Sequence, residues 1–244
     1  MKVVKPLYIE KYKKLMFPVK DKIEQILVGI DKKKFEKDFN DFKELSRKNF
    51  FLHKKRTDGK TMIDLLTLQK SFILAHLKPG DTAVDFTMGN GHDTLFLSQT
   101  VGPEGHVYAF DIQERALEKT KELLDENGAE NYTLILSSHH LVKNYVQGPI
   151  KAGTFNLGYL PGGGNKALTT KCETTMPAVE AALDLLDHDG VLIIAVYPGH
   201  EEGSEEGKML DAYFSGISRF KLCITKIRIV NAPTSPYFYV IERK

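Results

Sequence analysis

Apolar and polar positions in this chain switch repeatedly between a strand-like and a helix-like period. From Met62 onward, short apolar runs have the length and composition of strands buried on both faces: "TAVDF" (82–86), "HVYAFD" (106–111), "YTLIL" (132–136), "TFNLGYL" (154–160) and "VLIIAV" (191–196). Between them, apolar residues recur at helical spacing in "MIDLLTLQKSFILAHL" (62–77), "ERALEKTKELLDENG" (114–128), "TTMPAVEAALDLLDHDG" (174–190) and a stretch around 204–216. "KPGD" ends the first of these and Gly128 stops the second. Strands and helices alternating in this way predict an α/β fold with a doubly wound, mostly parallel sheet covered by helices on both faces. The last two apolar runs, "KLCITKIRIVN" (221–231) and "YFYVIER" (237–243), are separated by only "APTSP", too short for a parallel crossover. They are expected to close a seven-stranded sheet as an antiparallel hairpin at one edge.

The first sixty residues read differently. Phe35, Phe39, Phe42 and Leu45 lie at helical spacing, and Pro18 stands where a first helical turn accepts proline, so two or three short amphipathic helices are expected over 5–50. "HKKRTDGK" (53–60) is charged and turn-prone and reads as a linker. The expected division is therefore a helical extension over 1–60 and a main domain over 61–244.

Charge sharpens that division. Residues 1–60 hold 18 Lys/Arg against 9 Asp/Glu, and the remainder holds 16 against 23, so a net of +9 faces a net of −7. A basic module on an acidic body suits a polyanionic partner, although solvated helix faces also collect lysine. No apolar run reaches membrane-spanning length, and "MKVVKPLYIEKYKK" lacks the apolar core and cleavage site of a secretion signal, so a cytoplasmic location and no membrane partner are expected. Cys172 and Cys223 are far apart and without a C-x-x-C partner, which argues against a disulfide framework or a zinc site.

The chemistry concentrates in "DFTMGNGHDTLF" (85–96), a strand running through a glycine turn into a helix. Gly89 and Gly91 let backbone approach a ligand closely, and unpaired N–H groups open the helix at His92 and Asp93. A dinucleotide would require a third glycine where Thr94 stands, and Asp85 and Asp93 would repel its pyrophosphate. A cationic, phosphate-free ligand fits better, and S-adenosylmethionine has a sulfonium, an ammonium and a ribose diol. The expected cofactor-binding set is Asp85, Thr87, Met88, Gly89, Asn90, Gly91, His92 and Asp93 at the turn. Asp111, 22 residues beyond Gly89, would accept the ribose hydroxyls from the second strand's tip. Ile112 and Gln113 would flank the adenine, and Ser138 or His139 in "SSHH" (137–140) would reach its far end. Adjacent histidines splay apart and no Cys or carboxylate stands at ligand spacing, so no metal is expected there.

"NLGYLPGG" (156–163) should open beside the glycine turn. It keeps the ends of the [D/N/S]-P-P-[Y/F/W] motif of amino-nitrogen methyltransferases, Asn156 and Tyr159, and replaces its middle. The Asn156 oxygen can accept an amine's protons, Tyr159 can sit against a methyl or sulfonium, and His200 in "YPGH" is a candidate to take a proton. Asn165, Lys166, Thr169 and Thr170 can hold a phosphate or a pyrimidine edge, and Tyr197 and Tyr237 can stack on a splayed-out base, unless they are sheet core.

Taken in order, "VDFTMGNGHDTLFL", "FDIQ", "FNLGYLPGG" and "YPGH" resemble the class I methyltransferases described as rRNA methylases, whose characterised members are Gram-positive tRNA methyltransferases of the YtqB/MnmM type. The resemblance spans about residues 62–244. It implies transfer of a methyl from S-adenosylmethionine to the amine of 5-aminomethyl-(2-thio)uridine at the tRNA wobble position, hence tRNA, through its anticodon region, as the partner. The extension before residue 60 departs from the compact members. An rRNA or small-molecule methyltransferase, with the extension as a lid or homodimer contact, is the alternative, and a non-catalytic RNA-binding protein is a third reading.

Overall fold

The structure is a computed structural model that describes residues 53–55, 61–158 and 169–244. The expected helices over 5–50 lie outside the described residues. Where a linker is expected, β1 (His53–Lys55) and β2 (Thr61–Ile63) pair antiparallel.

The main sheet follows the apolar runs closely. Its elements are α1 (Leu65–His76), β3 (Thr82–Asp85), α2 (His92–Val101), β4 (His106–Asp111), α3 (Glu114–Glu126), β5 (Tyr132–Leu136), a 3₁₀ turn (His139–Asn144), β6 (Ile150–Leu157), α4 (Cys172–Leu185), β7 (Leu186–Val196), α5 (Glu201–Ser215), β8 (Leu222–Ile227) and β9 (Tyr237–Arg243). The strand order is β5-β4-β3-β6-β7-β9-β8, parallel except at β9, which is antiparallel to both β7 and β8. The expected hairpin is present, with β9 inserted between β7 and β8. The chain runs outward from β3 through β4 to β5 and then returns to β6 on the other side of β3. The carboxyl ends of β3 and β6 thus flank the topological switch point, where open α/β sheets leave a crevice.

Packing explains the boundaries that the pattern alone misplaces. β6 begins at Ile150 instead of Thr154, because Ile150 pairs with Leu186 and Ala152 with Ala83 and Val191; within it Gly153 permits close packing, since a Cβ there would lie 2.6 Å from Leu192 Cδ1 and 3.0 Å from Phe86 Cε2. α4 ends at Leu185, and "LDHDG" enters β7 through a register shift against β6, with Asp189 at φ +56°. α5 starts at Glu201 because the side chain of His200 accepts the Gly203 N–H and caps it.

Each face of the sheet carries its own core. On one face, Phe86 and Phe155 stack with centroids 4.1 Å apart and continue into Phe110, Leu157, Val179, Leu192, Leu210 and Tyr239. On the other, Ile73 and Leu77 from the α1 region and Leu97 and Val101 of α2 cover Ala83, Val107, Ile193 and Phe238. Val191 to Val196 are all within 1% of complete burial, as an apolar central strand requires. Among the described residues no helix is long and apolar enough to cross a membrane.

Candidate functional site

At the switch point the backbone turns sharply. Gly89 and Gly91 have φ of +56° and +81°, and a Cβ on Gly91 would lie 2.9 Å from Thr120 Cα, so α3 approaches the turn too closely for a side chain. The Met88 N–H donates to the Phe110 carbonyl and the Gly91 N–H to the Met88 carbonyl, locking the turn onto β4. Beneath it, Asp85 is fully buried and accepts from the Thr87 N–H at 3.1 Å and the Thr94 hydroxyl at 2.7 Å. Burial first, then the charge of Asp93, pushes its carboxyl up to about 7.

Two cavities open on this edge. The first, about 370 Å³, runs from Phe86, Thr87 and Gly89 past Asp111, Ile112 and Gln113 to Ser137, Ser138 and His139, and on to Thr169–Lys171 and Thr174. Asp111 stands at the tip of β4. Its Oδ2 accepts the Gly89 N–H at 3.1 Å and its Oδ1 the Gln113 N–H at 3.0 Å, leaving lone pairs on both oxygens for further donors. Burial raises its pKa against the lowering effect of those N–H groups. Ile112 is 57% exposed at the rim, suited to cover a flat ring. His139 is buried edge-on to Phe155, its pKa is lowered to about 4 by burial, and its Nε2 has no partner among the described residues. A neutral imidazole with an unused nitrogen, two backbone-aligned carboxylate oxygens and a glycine cradle fit an adenosine-bearing ligand.

The second cavity, about 550 Å³, is lined by Thr87, Met88, Gly89, Asn90, His92, Asp93, Asn156, Gly158, Tyr197, Gly199, His200, Thr234 and Pro236. Thr87, Gly89, Asn156 and Gly158 belong to both cavities. Asn156 stands on this shared wall at the end of β6. Its N–H donates to Thr87 Oγ1 at 2.8 Å, its Nδ2 donates to Asp93 Oδ2 at 2.8 Å, and its Oδ1 accepts from the Tyr197 hydroxyl at 3.5 Å. Burial, then Asp93, raises the Tyr197 pKa, which keeps the phenol protonated.

Several sequence expectations are redistributed by this geometry. Asp85 and Gly91 line neither cavity: one anchors the turn from below and the other meets α3. His92, Asn90, Met88 and Asp93 face the second cavity only. Tyr237 is 8% exposed with its hydroxyl against Gly207, where a Cβ would lie 2.1 Å away, so it is sheet core and not a stacking platform. The hydroxyl of Thr170 is committed to Glu206, a fully buried carboxylate that also holds Thr175. His200 accepts the Gly203 N–H at Nδ1, with Glu202 Oε2 3.3 Å from the same nitrogen, so the ring is a helix cap before it is a base. Tyr159, Asn165 and Lys166 lie outside the described residues. Sequence reasoning missed Lys171, Thr174, Thr234 and Pro236, which no motif marks; a chain fold that returns them to the switch point is the only signal for them.

Comparison with known proteins accords with this site. Residues 107–243 match the family described as "Putative rRNA methylase". A chloroplastic tRNA (mnm5s2U34)-methyltransferase of Arabidopsis thaliana is 37% identical over 171 residues, 66% of this chain and 62% of that protein, so the chain spans less than two thirds of that relative's length. A Clostridium thermocellum crystal structure carrying the same rRNA-methylase description is 35% identical with a TM-score of 0.73, covering 76% of this chain and 100% of that one. A Streptococcus mutans protein solved in complex with SAH is 34% identical with a TM-score of 0.68, covering 75% and 99%. The chain thus belongs to this rRNA-methylase family and has the Rossmann-like fold of the S-adenosylmethionine-dependent methyltransferases.

Proposed function

We propose that the protein is an S-adenosylmethionine-dependent N-methyltransferase that acts on the aminomethyl group of 5-aminomethyl-(2-thio)uridine at the tRNA wobble position. The observation that carries this reading is the position of Asn156 on the wall between the two cavities, with its amide held by Asp93 and Tyr197 of the second. The glycine cradle, Asp111 and His139 would hold S-adenosylmethionine, which when bound supplies a methyl group on a positively charged sulfur. On the chain's side, Asn156 Oδ1 accepts an N–H of the amine and aims the nitrogen lone pair along the shared wall. Its own orientation is set by Asp93 and Tyr197, so positioning is the main contribution expected of these residues. The second cavity has the volume for one extruded pyrimidine, and Tyr197 and Pro236 offer surfaces against which such a base can lie. The tRNA relative from Arabidopsis supports the choice of substrate.

The test is incubation with tRNA from cells lacking the modification, followed by nucleoside mass spectrometry. A gain of one methyl on the wobble nucleoside is expected. Asn156→Ala should abolish that gain while S-adenosylhomocysteine still binds; full turnover by the variant removes Asn156 from the mechanism.

A further inference from the structure

The two cavities differ in charge. The described lining of the second holds one carboxylate, Asp93, and no Lys or Arg, whereas Asp111 and Lys171 share the first. Asp93 stands in the first turn of α2, where its Oδ2 accepts from Asn156 Nδ2 at 2.8 Å. That bond fixes the Asn156 amide with its oxygen toward Tyr197. Asp93, Asn156 and Tyr197 thus line one wall together, with the Tyr197 proton turned to Asn156 and the lone pairs of all three oxygens left as acceptors. Behind them Asp85 adds a second, buried carboxyl close enough for each to feel the other's charge. Such a set is matched by a group with several donors and a positive charge, which describes an alkylammonium with its three N–H bonds. A hydroxyl brings one donor and no charge, and a phosphate would be repelled.

We infer that Asp93 is the amine-recognition residue of the second cavity, selecting a substrate that carries a primary alkylamine on a flat ring; the amine enters as the ammonium and loses one proton to solvent before transfer, which frees the lone pair that Asn156 aims. The inference rests on the methyltransferase reading above and adds to it a residue that chooses the substrate class. It also moves Asp93 out of the cofactor set in which the glycine-turn sequence places it.

The test is the binding of 5-aminomethyluridine and 5-hydroxymethyluridine to the full-length protein loaded with S-adenosylhomocysteine, read by calorimetry or saturation-transfer NMR. The wild type is expected to prefer the amine by about tenfold or more, as charge-assisted hydrogen bonds are about twice as strong as neutral ones. Asp93→Asn should reduce the ratio to about threefold or less and leave S-adenosylhomocysteine affinity unchanged, while Asp93→Glu should retain a preference. Equal binding of the two nucleosides by the wild type, or binding of neither, overturns the inference without any variant. So does a preference that survives in Asp93→Asn. Loss of S-adenosylhomocysteine affinity with the preference intact also overturns it, since Asp93 would then serve the cofactor. If Asp93→Asn fails to fold, Asp93→Glu decides, and loss of the amine preference in that folded, charge-retaining variant counts against the inference. Methyl gain on tRNA judges the methyltransferase reading separately: amine preference without methyl gain defeats that reading alone, and methyl gain without amine preference defeats the Asp93 inference alone.

Discussion

Replacing Asp85 with Asn probes how the glycine turn is supported. Asp85 is completely buried, and its carboxyl is raised from 3.8 to about 7, first by burial and then by Asp93. The folded protein thus holds this proton to a higher pH than the unfolded chain does. Between about pH 4 and pH 7 the native state binds more protons, so stability falls as pH rises through that window and levels off above it. The shift spans about three pH units at about 1.4 kcal/mol each, so ionised Asp85 costs the fold up to about 4 kcal/mol near pH 8. Asn carries no charge and fits the same hydrogen bonds. Its oxygen accepts the Thr87 N–H, and its amide donates to Thr94, whose hydroxyl can accept as well as donate. Asp85→Asn is therefore expected to be more stable than the wild type near pH 8 by a few kcal/mol, and the advantage should shrink toward zero near pH 4. Urea unfolding of both proteins at several pH values, followed by circular dichroism, measures this. A variant less stable than the wild type near pH 8, or an advantage that does not change with pH, would refute the reasoning.

Other residues give equally direct outcomes. Asp111→Ala removes an acceptor with two backbone-aligned oxygens. Calorimetry should show S-adenosylhomocysteine affinity falling about 100-fold, at about 1.5–3 kcal/mol for a hydrogen bond to a charged group. Gly91→Ala puts a Cβ against the Thr120 backbone at a φ of +81°, so a loss of about 2 kcal/mol or more in unfolding free energy is expected, with weakened cofactor binding. A chain lacking residues 1–51 should bind S-adenosylhomocysteine as the full chain does but bind tRNA more weakly, with a shallower salt dependence, because those residues hold 14 Lys/Arg against 8 Asp/Glu, a net of +6. Equal tRNA affinity for both, across a salt titration, would remove the extension from RNA binding.

Much of the fold is written locally. The runs "HVYAFD", "YTLIL" and "YFYVIER" correspond residue for residue to β4, β5 and β9, because an apolar run of strand length bounded by turn residues has few other places to go. The glycine turn and Asp111 are legible for the same reason: positive φ at Gly89 and Gly91 and a carboxylate at a strand tip are short-range requirements. Where long-range packing decides, the sequence alone is silent. Nothing near Gly153 in the chain announces Leu192 and Phe86, whose approach makes a glycine acceptable inside β6. Nothing in "SPYFY" says which tyrosine faces a cavity, since that depends on β9 slotting between β7 and β8 and turning Tyr237 onto Gly207 of α5. The separation of one glycine-turn motif into two roles is likewise a tertiary result. Asp85 goes beneath the turn and Asp93 to the second cavity because α2 begins between them and swings the later residue toward Asn156, 63 positions further along the chain.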